Sequence, residues 1–226
     1  ISACLVGSEM CIRDSCFFCL ATPVSGRRVR MRSPENIIEE VRHCMQAYGI
    51  QDFLFWSDVF NFDDRWVRQL CEVILGSGLR FTWASNMRAD NINKDTLDLM
   101  KKAGCSLVSL GIESGSQEIL DKVGKKVTVG QIRESVRLIR AAGLSSFAYF
   151  MTGLPWETRE TSESTMRLSR ELRTDFANFF VAAPLPGTAF FAYAAENGLF
   201  SPCDPADSSN FEQAYGTAVV RGHHLT

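Results

Sequence analysis

The chain has 226 residues, a formal net charge of −2 and 46% hydrophobic residues, which is ordinary for a protein with one substantial core. This charge gives no basic footprint for nucleic acid, and no apolar run approaches the roughly 18 residues that a membrane span requires. Eight cysteines in a chain of this size are typical of reduced thiols rather than of a small disulfide-bonded domain, so we expect a cytoplasmic protein.

The first fifteen residues do not have the character of native protein sequence. Residues 5–15, LVGSEMCIRDS, resemble a translated sequencing adapter: a transposon-end adapter read in one frame gives this peptide up to its last residue. We therefore expect residues 1–15 to be a non-native artefact and exclude them from the fold, as one excludes an engineered tag. The natural chain is then expected to begin at or just before Cys16.

Downstream, helical patterns alternate with short apolar strands. Ser33 is a typical N-cap, and the helix that follows it is expected to end near Gly49. The run Phe53–Trp56 is too apolar for a strand with a wet face. Further strands are predicted at 80–85, 106–111, 147–151 and 177–182. Further helices are predicted from Asp63 to Gly76, from Asn93 to Gly104, and over 117–123, 129–142, 161–172 and 189–197.

This alternation with short connections indicates right-handed βαβ units and a parallel sheet. No Gly-x-Gly-x-x-Gly follows an early strand, which argues against a dinucleotide-binding fold. Five strands follow the first cysteines, and a sixth should precede them, where residues 1–15 stand. The predicted fold is therefore a partial (βα)6 TIM-like barrel over residues 16–200, with its first strand missing or replaced. Residues 201–226, rich in Ser, Pro, Asp and Asn, are expected to be a truncated C-terminal tail.

Cys16 and Cys19 form a Cys-x2-Cys pair, with Phe18 directly before the second cysteine. Thiolates at this spacing hold iron–sulfur clusters, but they also form half of a zinc site or a redox pair. The three histidines, at positions 43, 223 and 224, supply no second pair at zinc-finger spacing. Cys11 lies one residue too far upstream for a Cys-x3-Cys-x2-Cys loop and within the adapter-like segment, so we expect it not to be a native ligand.

Polar residues follow four successive predicted strands. In (βα) barrels the carboxyl ends of the strands form the active site. Any one of these residues is explained as a cap or a turn residue, but their recurrence at four ends predicts a site. They are Ser57 and Asp58, Asn86 and Arg88, Glu113 and Ser114, and Gly153, Leu154 and Pro155 with Glu157.

Four motifs stand out along the chain: Cys16–Cys19, Gly111–Ser116, Gly153–Glu157 and Pro184–Thr188. In this order and spacing they make the chain similar to the radical S-adenosylmethionine (SAM) superfamily over residues 16–200. Three segments, Asn86–Asp90, Leu99–Cys105 and Gly111–Gly115, more narrowly resemble the branch that often carries an N-terminal cobalamin-binding domain.

The resemblance implies that Cys16 and Cys19 are the second and third ligands of a 4Fe-4S cluster whose open iron binds SAM. It also implies that Phe18 lies beside the adenine of SAM and that Arg88 pairs with its carboxylate. The remaining implied contacts are Ser57 and Asp58 with the SAM amino group, Glu113 with the ribose hydroxyls, and Gly153, Leu154 and Pro155 with the adenine.

The resemblance further implies reductive cleavage of SAM to methionine and a 5′-deoxyadenosyl radical, with an electron from a donor such as flavodoxin or ferredoxin. Cobalamin would add methyl transfer or ring chemistry on a small-molecule substrate, whose identity these residues do not give. Because Cys11 is out of register, we expect the chain as given to be inactive. The alternative is a non-catalytic parallel α/β domain that binds a ligand or partner, with Cys16 and Cys19 structural or in a zinc site.

Overall fold

The computed structural model describes residues 2–4, 16–26, 30–57 and 59–200. Within these ranges six strands form one parallel sheet, and each strand pairs with the next in the chain. A doubly wound sheet would reverse its strand order at a switch point, so this sequential order is that of a barrel wound in one direction. The partial (βα)6 barrel is confirmed. The strands are β1 (Ser2–Cys4), β2 (Asp52–Trp56), β3 (Thr82–Met87), β4 (Cys105–Glu113), β5 (Ser145–Thr152) and β6 (Phe176–Val181).

The helices begin at local capping residues. The Ser33 hydroxyl accepts a hydrogen bond from the Asn36 N–H at 3.2 Å, and Asp63 and Asn93 cap the next two long helices in the same way. No helix in the described part of the chain is long and apolar enough to cross a membrane. The helices are α1 (Ala21–Ser25), α2 (Pro34–Tyr48), α3 (Asp64–Gly76), α4 (Lys94–Lys102), α5 (Gln117–Lys122), α6 (Val129–Ala141), α7 (Arg159–Leu172) and α8 (Ala189–Glu196).

The short strand β1 lies in the position expected for the first strand of the barrel. Its residues pair in parallel with Leu54–Trp56 of β2. They come from the segment that we predicted to be non-native, which corresponds to a replaced first strand. Residues 5–15, including Cys11, and residues 201–226 lie outside the described residues. The domain boundaries near residues 15 and 200 therefore stay predictions.

The sheet has a packed outer face and an open inner face. Phe55, Trp83 and Phe150 are buried on the outer face, in one apolar cluster with the helix stripes of α2, α3, α4 and α6. Alternate residues of a strand point to the opposite face, so Trp56 lies on the inner face, where it is 49% exposed. The expectation that Phe53–Trp56 has no wet face is wrong at Trp56, because none of the described helices covers the inside of the barrel there.

Candidate functional site

A cavity of about 230 Å³ opens at the carboxyl ends of β3, β4 and β5. Six of the predicted site residues line it, and they come from the cysteine loop and from the ends of two strands. They are Cys16, Phe18, Cys19, Asn86, Arg88 and Glu113. The expectation that separate strand ends contribute to one site therefore holds for Asn86, Arg88 and Glu113.

The loop at Cys16–Cys19 is a tight turn. The Cys19 N–H donates to the Cys16 carbonyl at 3.0 Å, which brings both cysteines to the wall of the same cavity. The Cys16 side chain is buried, and the Cys19 Sγ accepts a hydrogen bond from the Ala21 N–H at 3.4 Å. Hydrogen bonds of this kind stabilise a thiolate and tune the potential of a cluster bound to it.

Phe17 anchors this turn to the barrel. Its N–H donates to the Val123 carbonyl at 2.9 Å, and its carbonyl accepts from the Phe190 N–H at 2.8 Å. Its ring packs against Trp156, with ring centroids 4.6 Å apart. Sequence reasoning gave a role only to Phe18, because residue type alone does not distinguish two neighbouring phenylalanines.

A buried ion pair joins Lys125 and Glu113 at the cavity wall. The Lys125 Nζ lies 2.7 Å from the Glu113 Oε1, and each side chain is 12% exposed. Burial acts to lower the pKa of Lys125, but the negative charges of Glu113 and Cys16 outweigh it and raise that pKa overall. Lys125 is therefore a cation beside Cys16. A Cβ at Gly111 would lie 2.7 Å from the Glu113 Oε1, so a larger residue there would force the end of the Glu113 side chain to shift away from its present contact with Lys125.

Lys125 was missed by the sequence analysis. It lies in the loop between α5 and α6, directly before the exposed Lys126, and no spacing or motif separates the two lysines. Its place at the site depends on Glu113, which is twelve residues away in sequence. Tyr149, on the inner face of β5, also lines the cavity and was missed, because it stands inside an apolar strand pattern.

The Arg88 guanidinium reaches the cavity but is already engaged. Its Nε lies 2.9 Å from the Asp90 Oδ1, and its Nη2 lies 2.7 Å from the Asp90 Oδ2. The same Nη2 donates to the Lys125 carbonyl at 3.0 Å, which ties the α5–α6 loop to the end of β3. The pairing of Arg88 with a SAM carboxylate stays a prediction, and Asp90 would compete with that carboxylate.

The other predicted contacts that belong to the described residues do not line the cavity. Ser57 is buried at the end of β2, and its neighbour Val59 reaches the cavity instead. Asp58 lies outside the described residues. Leu154 is fully buried in a second apolar cluster, against which Phe18 packs. The structure thus brings the segment after β5 to the aromatic side of the cysteine turn.

Glu157 holds this segment in place. One of its carboxylate oxygens, Oε2, accepts hydrogen bonds from the N–H groups of Gly153 and Leu154. Burial raises the pKa of Glu157, while these two hydrogen bonds oppose the shift. The glutamate that sequence reasoning noted at the fifth strand end therefore supports the backbone of the Gly153–Pro155 segment.

The donor set fits two of the ligands of an iron–sulfur cluster. Among the described residues, no group of three or more His, Cys, Asp or Glu side chains is placed to hold a metal ion. Cys16 and Cys19 supply two sulfur ligands, and the segment upstream of Cys16 that would supply another falls outside those residues. The cation Lys125 offsets negative charge at Cys16, while Phe18 and Glu113 offer an aromatic face and a hydrogen-bond acceptor. This combination suits a cluster with a nucleoside beside it.

The model of the radical SAM superfamily matches residues 5–169, which is most of the chain. The chain belongs to the radical SAM superfamily. Radical SAM enzymes use a 4Fe-4S cluster and SAM, together with a substrate and a reductant, as the resemblance of the motifs implied.

Two curated relatives and one solved structure are similar to this radical SAM chain. An uncharacterized methyltransferase of Pyrococcus horikoshii is 35% identical over 185 residues, covering 82% of this chain and 40% of the relative. The anaerobic magnesium-protoporphyrin IX monomethyl ester cyclase of Cereibacter sphaeroides is 31% identical over 169 residues, covering 73% of this chain and 28% of the relative.

The solved structure is the radical SAM methyltransferase TsrM of Kitasatospora setae, with cobalamin and a 4Fe-4S cluster bound. It has a TM-score of 0.74 and 22% identity, and the match covers 83% of this chain and 36% of TsrM. At this identity the likeness shows a shared fold. The radical SAM chain spans 40% or less of the length of these three proteins.

Proposed function

We propose that this barrel, once its first cluster cysteine is restored, holds a 4Fe-4S cluster and SAM in the cavity at the ends of β3, β4 and β5, and that it then cleaves SAM reductively. The observation that carries the proposal is that Cys16, Cys19, Phe18 and Glu113 line one cavity. A bound cluster would supply one electron to SAM, giving methionine and a 5′-deoxyadenosyl radical that takes hydrogen from a substrate.

The side chains at the cavity have separate roles in this proposal. Cys16 and Cys19 bind iron as thiolates, and Phe18 stacks on the adenine. Glu113 accepts hydrogen bonds from the ribose hydroxyls through lone pairs that its pairing with Lys125 leaves available. Lys125 and Arg88 carry positive charge at the cavity wall, which favours both an anionic cluster and the SAM carboxylate.

The predicted SAM contacts that do not line the cavity are proposed to bind SAM from its two sides. The Gly153–Pro155 backbone, fixed by Glu157, would meet the adenine on the side of Phe18. Ser57 and Asp58 would meet the SAM amino group from the end of β2.

We also propose that the longer protein uses cobalamin for methyl transfer or ring chemistry on a small molecule. Support comes from the activities of the relatives, a methyltransferase and a cyclase, and from the cobalamin bound to TsrM. Cobalt analysis of the full-length protein encoded at the locus tests this proposal. About one cobalt per chain is the expected result, and cobalt-free protein after growth with cobalamin would contradict it.

The electron for SAM cleavage is proposed to come from a cytoplasmic donor such as flavodoxin or ferredoxin. A small molecule is a better candidate substrate than nucleic acid, because the chain has a net charge of −2 and no overall basic character. Measuring product formation with each purified donor would test this choice against chemical reduction by dithionite.

The cluster proposal is tested by correcting the register of the first cysteine. Ile12→Cys creates the Cys-x3-Cys-x2-Cys spacing, and Ile12→Ser is a matched control that leaves it incomplete. After anaerobic reconstitution and reduction with dithionite, we expect the Ile12→Cys protein to show four-iron cluster absorption and to form methionine and 5′-deoxyadenosine. The unmodified chain and the serine variant should form neither product.

The second cluster cysteine provides the internal check. Adding Cys19→Ala to the Ile12→Cys protein should abolish both the cluster and SAM cleavage, because a thiolate ligand is lost. If the Ile12→Cys protein forms neither cluster nor products, the proposal is contradicted. Zinc without iron in anaerobically prepared protein would favour the zinc-site alternative.

A further inference from the structure

A row of aromatic rings lies on β5 and β6, apart from the residues proposed to hold the cluster and SAM. It consists of Phe147 and Tyr149 on β5 and of Phe176 and Phe180 on β6, and we call these four residues the aromatic row. The ring centroid of Phe147 lies 4.7 Å from the ring centroid of Tyr149 and 5.8 Å from that of Phe176. Those of Tyr149 and Phe180 also lie 5.8 Å apart, so every member touches another.

The aromatic row belongs to the inner face of the barrel. Tyr149 lines the cavity, and the two-residue period of a strand puts Phe147 on the same face. Phe176 lies beside Phe147 in the register of β5 and β6. The intervening residues Phe150 and Phe179 stack on each other on the opposite face, with ring centroids 4.9 Å apart. The row therefore continues the wall of the cavity.

The row is open and uncharged. Phe176 is 57% exposed and Phe180 is 38% exposed. Single exposed apolar side chains are common, but a contiguous set beside a cavity marks a binding surface. On the described strands β5 and β6, the inner positions carry no charged side chain, and their polar groups are Ser145, Asn178 and the Tyr149 hydroxyl. Phe176 and Phe180 are four residues apart, which corresponds to about 13 Å along the strand.

We propose that the aromatic row binds a planar, uncharged, conjugated ring system that stacks on these four side chains and presents one edge to the cavity beside Tyr149. The rings of the row contact one another at tilts of 33–49°, and Phe176 and Phe180 keep exposed ring surface. Aromatic surface favours offset or edge-to-face contact with another aromatic ring, which a planar conjugated ligand provides and a saturated chain does not. Treating this ring system as the substrate rests on the proposed function. Its binding to the row needs neither the cluster nor SAM, so the two proposals can fail separately.

The structure offers a closely matched pair of variants. Phe180 and Phe179 are neighbours with exposures of 38% and 39%, but they lie on opposite faces of the sheet. Leucine at either position keeps an apolar side chain and removes the ring. The probe is lumichrome, an uncharged, fluorescent tricycle, titrated against the full chain without iron or SAM. We expect saturable binding that Phe180→Leu weakens about three- to tenfold and Phe179→Leu changes less than twofold.

The results of this titration distinguish a bound planar ligand from a second copy of the chain on this face. Absence of saturable lumichrome binding to the unchanged chain, or equal weakening by both variants, would overturn the proposal. Sedimentation that shows a dimer dissociated by Phe180→Leu alone would instead assign the face to a second copy and would also overturn it. Circular dichroism verifies folding, and Phe176→Leu repeats the test if Phe180→Leu does not fold. Lumichrome binding without SAM cleavage by the Ile12→Cys protein would support the row while contradicting the proposed function.

Discussion

Phe55 and Trp56 are neighbours on β2, yet Phe55 is fully buried under the helices whereas Trp56 is 49% exposed on the inner face. The same contrast recurs on β6, where Phe179 stacks on Phe150 and Phe180 stands in the aromatic row. Residue type is nearly constant across these pairs, and the face of the strand differs. Helix packing on the outer face therefore stabilises the sheet, while the inner face leaves its side chains available for ligands.

The largest expected effect separates the two faces directly. Phe55→Ala should lower the free energy of unfolding by about 3–5 kcal/mol, because it opens a cavity in the outer core. Trp56→Ala should lower it by less than about 1 kcal/mol, because about half of the surface of Trp56 is already exposed to water. Urea denaturation of both variants measures the difference. Equal losses would mean that the inner face is covered as well as the outer one.

The next effect concerns the ion pair at the cavity. Lys125→Met should cost about 3 kcal/mol, because it leaves Glu113 buried without its cationic partner. Lys126→Met is the control, since the neighbouring lysine is exposed, and it should change stability by less than about 0.5 kcal/mol. Chemical denaturation at pH 7 compares the two. Equal stabilities would contradict the assignment of the pair as buried.

Alanine substitutions at two glycines compare the crowded cavity wall with an exposed helix start. Gly111→Ala should cost about 1–3 kcal/mol, because the new Cβ would lie 2.7 Å from the Glu113 Oε1 and would displace the Glu113–Lys125 pair. Gly130→Ala, in α6, should instead stabilise the chain by about 0.5 kcal/mol, because its Cβ meets nothing closer than 3.7 Å and alanine favours a helix. Thermal unfolding of the two variants should shift in opposite directions. A gain in stability for Gly111→Ala would contradict the close packing at the cavity.

The smallest expected effect is a pH dependence at Glu157. Burial raises the pKa of Glu157 in the folded chain, so its contribution to stability is complete below the unfolded pKa and is lost as the pH rises through the folded pKa. Glutamine does not ionise. The unfolding free energy of Glu157→Gln relative to the unchanged chain should therefore increase from pH 4 to pH 7. The exposed Glu160→Gln is the control, and the same trend in both variants would contradict burial as the cause.

The helix starts were predictable because a capping side chain acts within three residues of itself, as Ser33 and Asp63 do. The ends of the strands were less predictable. The third strand was expected at 80–85 and is found at Thr82–Met87, because pairing with β4 continues to Met87. Local propensity carries no information about that partner.

The site divides in the same way. Cys16, Cys19, Phe18, Arg88 and Glu113 could be predicted from motifs, and the structure brings them to one cavity. Lys125 and Phe17, which contact the site through Glu113 and Trp156, could not be predicted, because these contacts join residues that are separate in sequence. The engagement of Arg88 by Asp90 also has no sequence signal, since two residues of opposite charge at this spacing are common in turns.

The most direct test of the central claim is an anaerobic crystal structure of the reconstituted Ile12→Cys protein with SAM, with diffraction data collected at the iron absorption edge. We expect an iron anomalous peak at bonding distance from the Sγ atoms of Cys16 and Cys19. We also expect SAM in the adjoining cavity, with its adenine against Phe18 and its ribose beside Glu113. Absence of iron at these two sulfurs, or SAM bound away from this cavity, would contradict the assignment of the site.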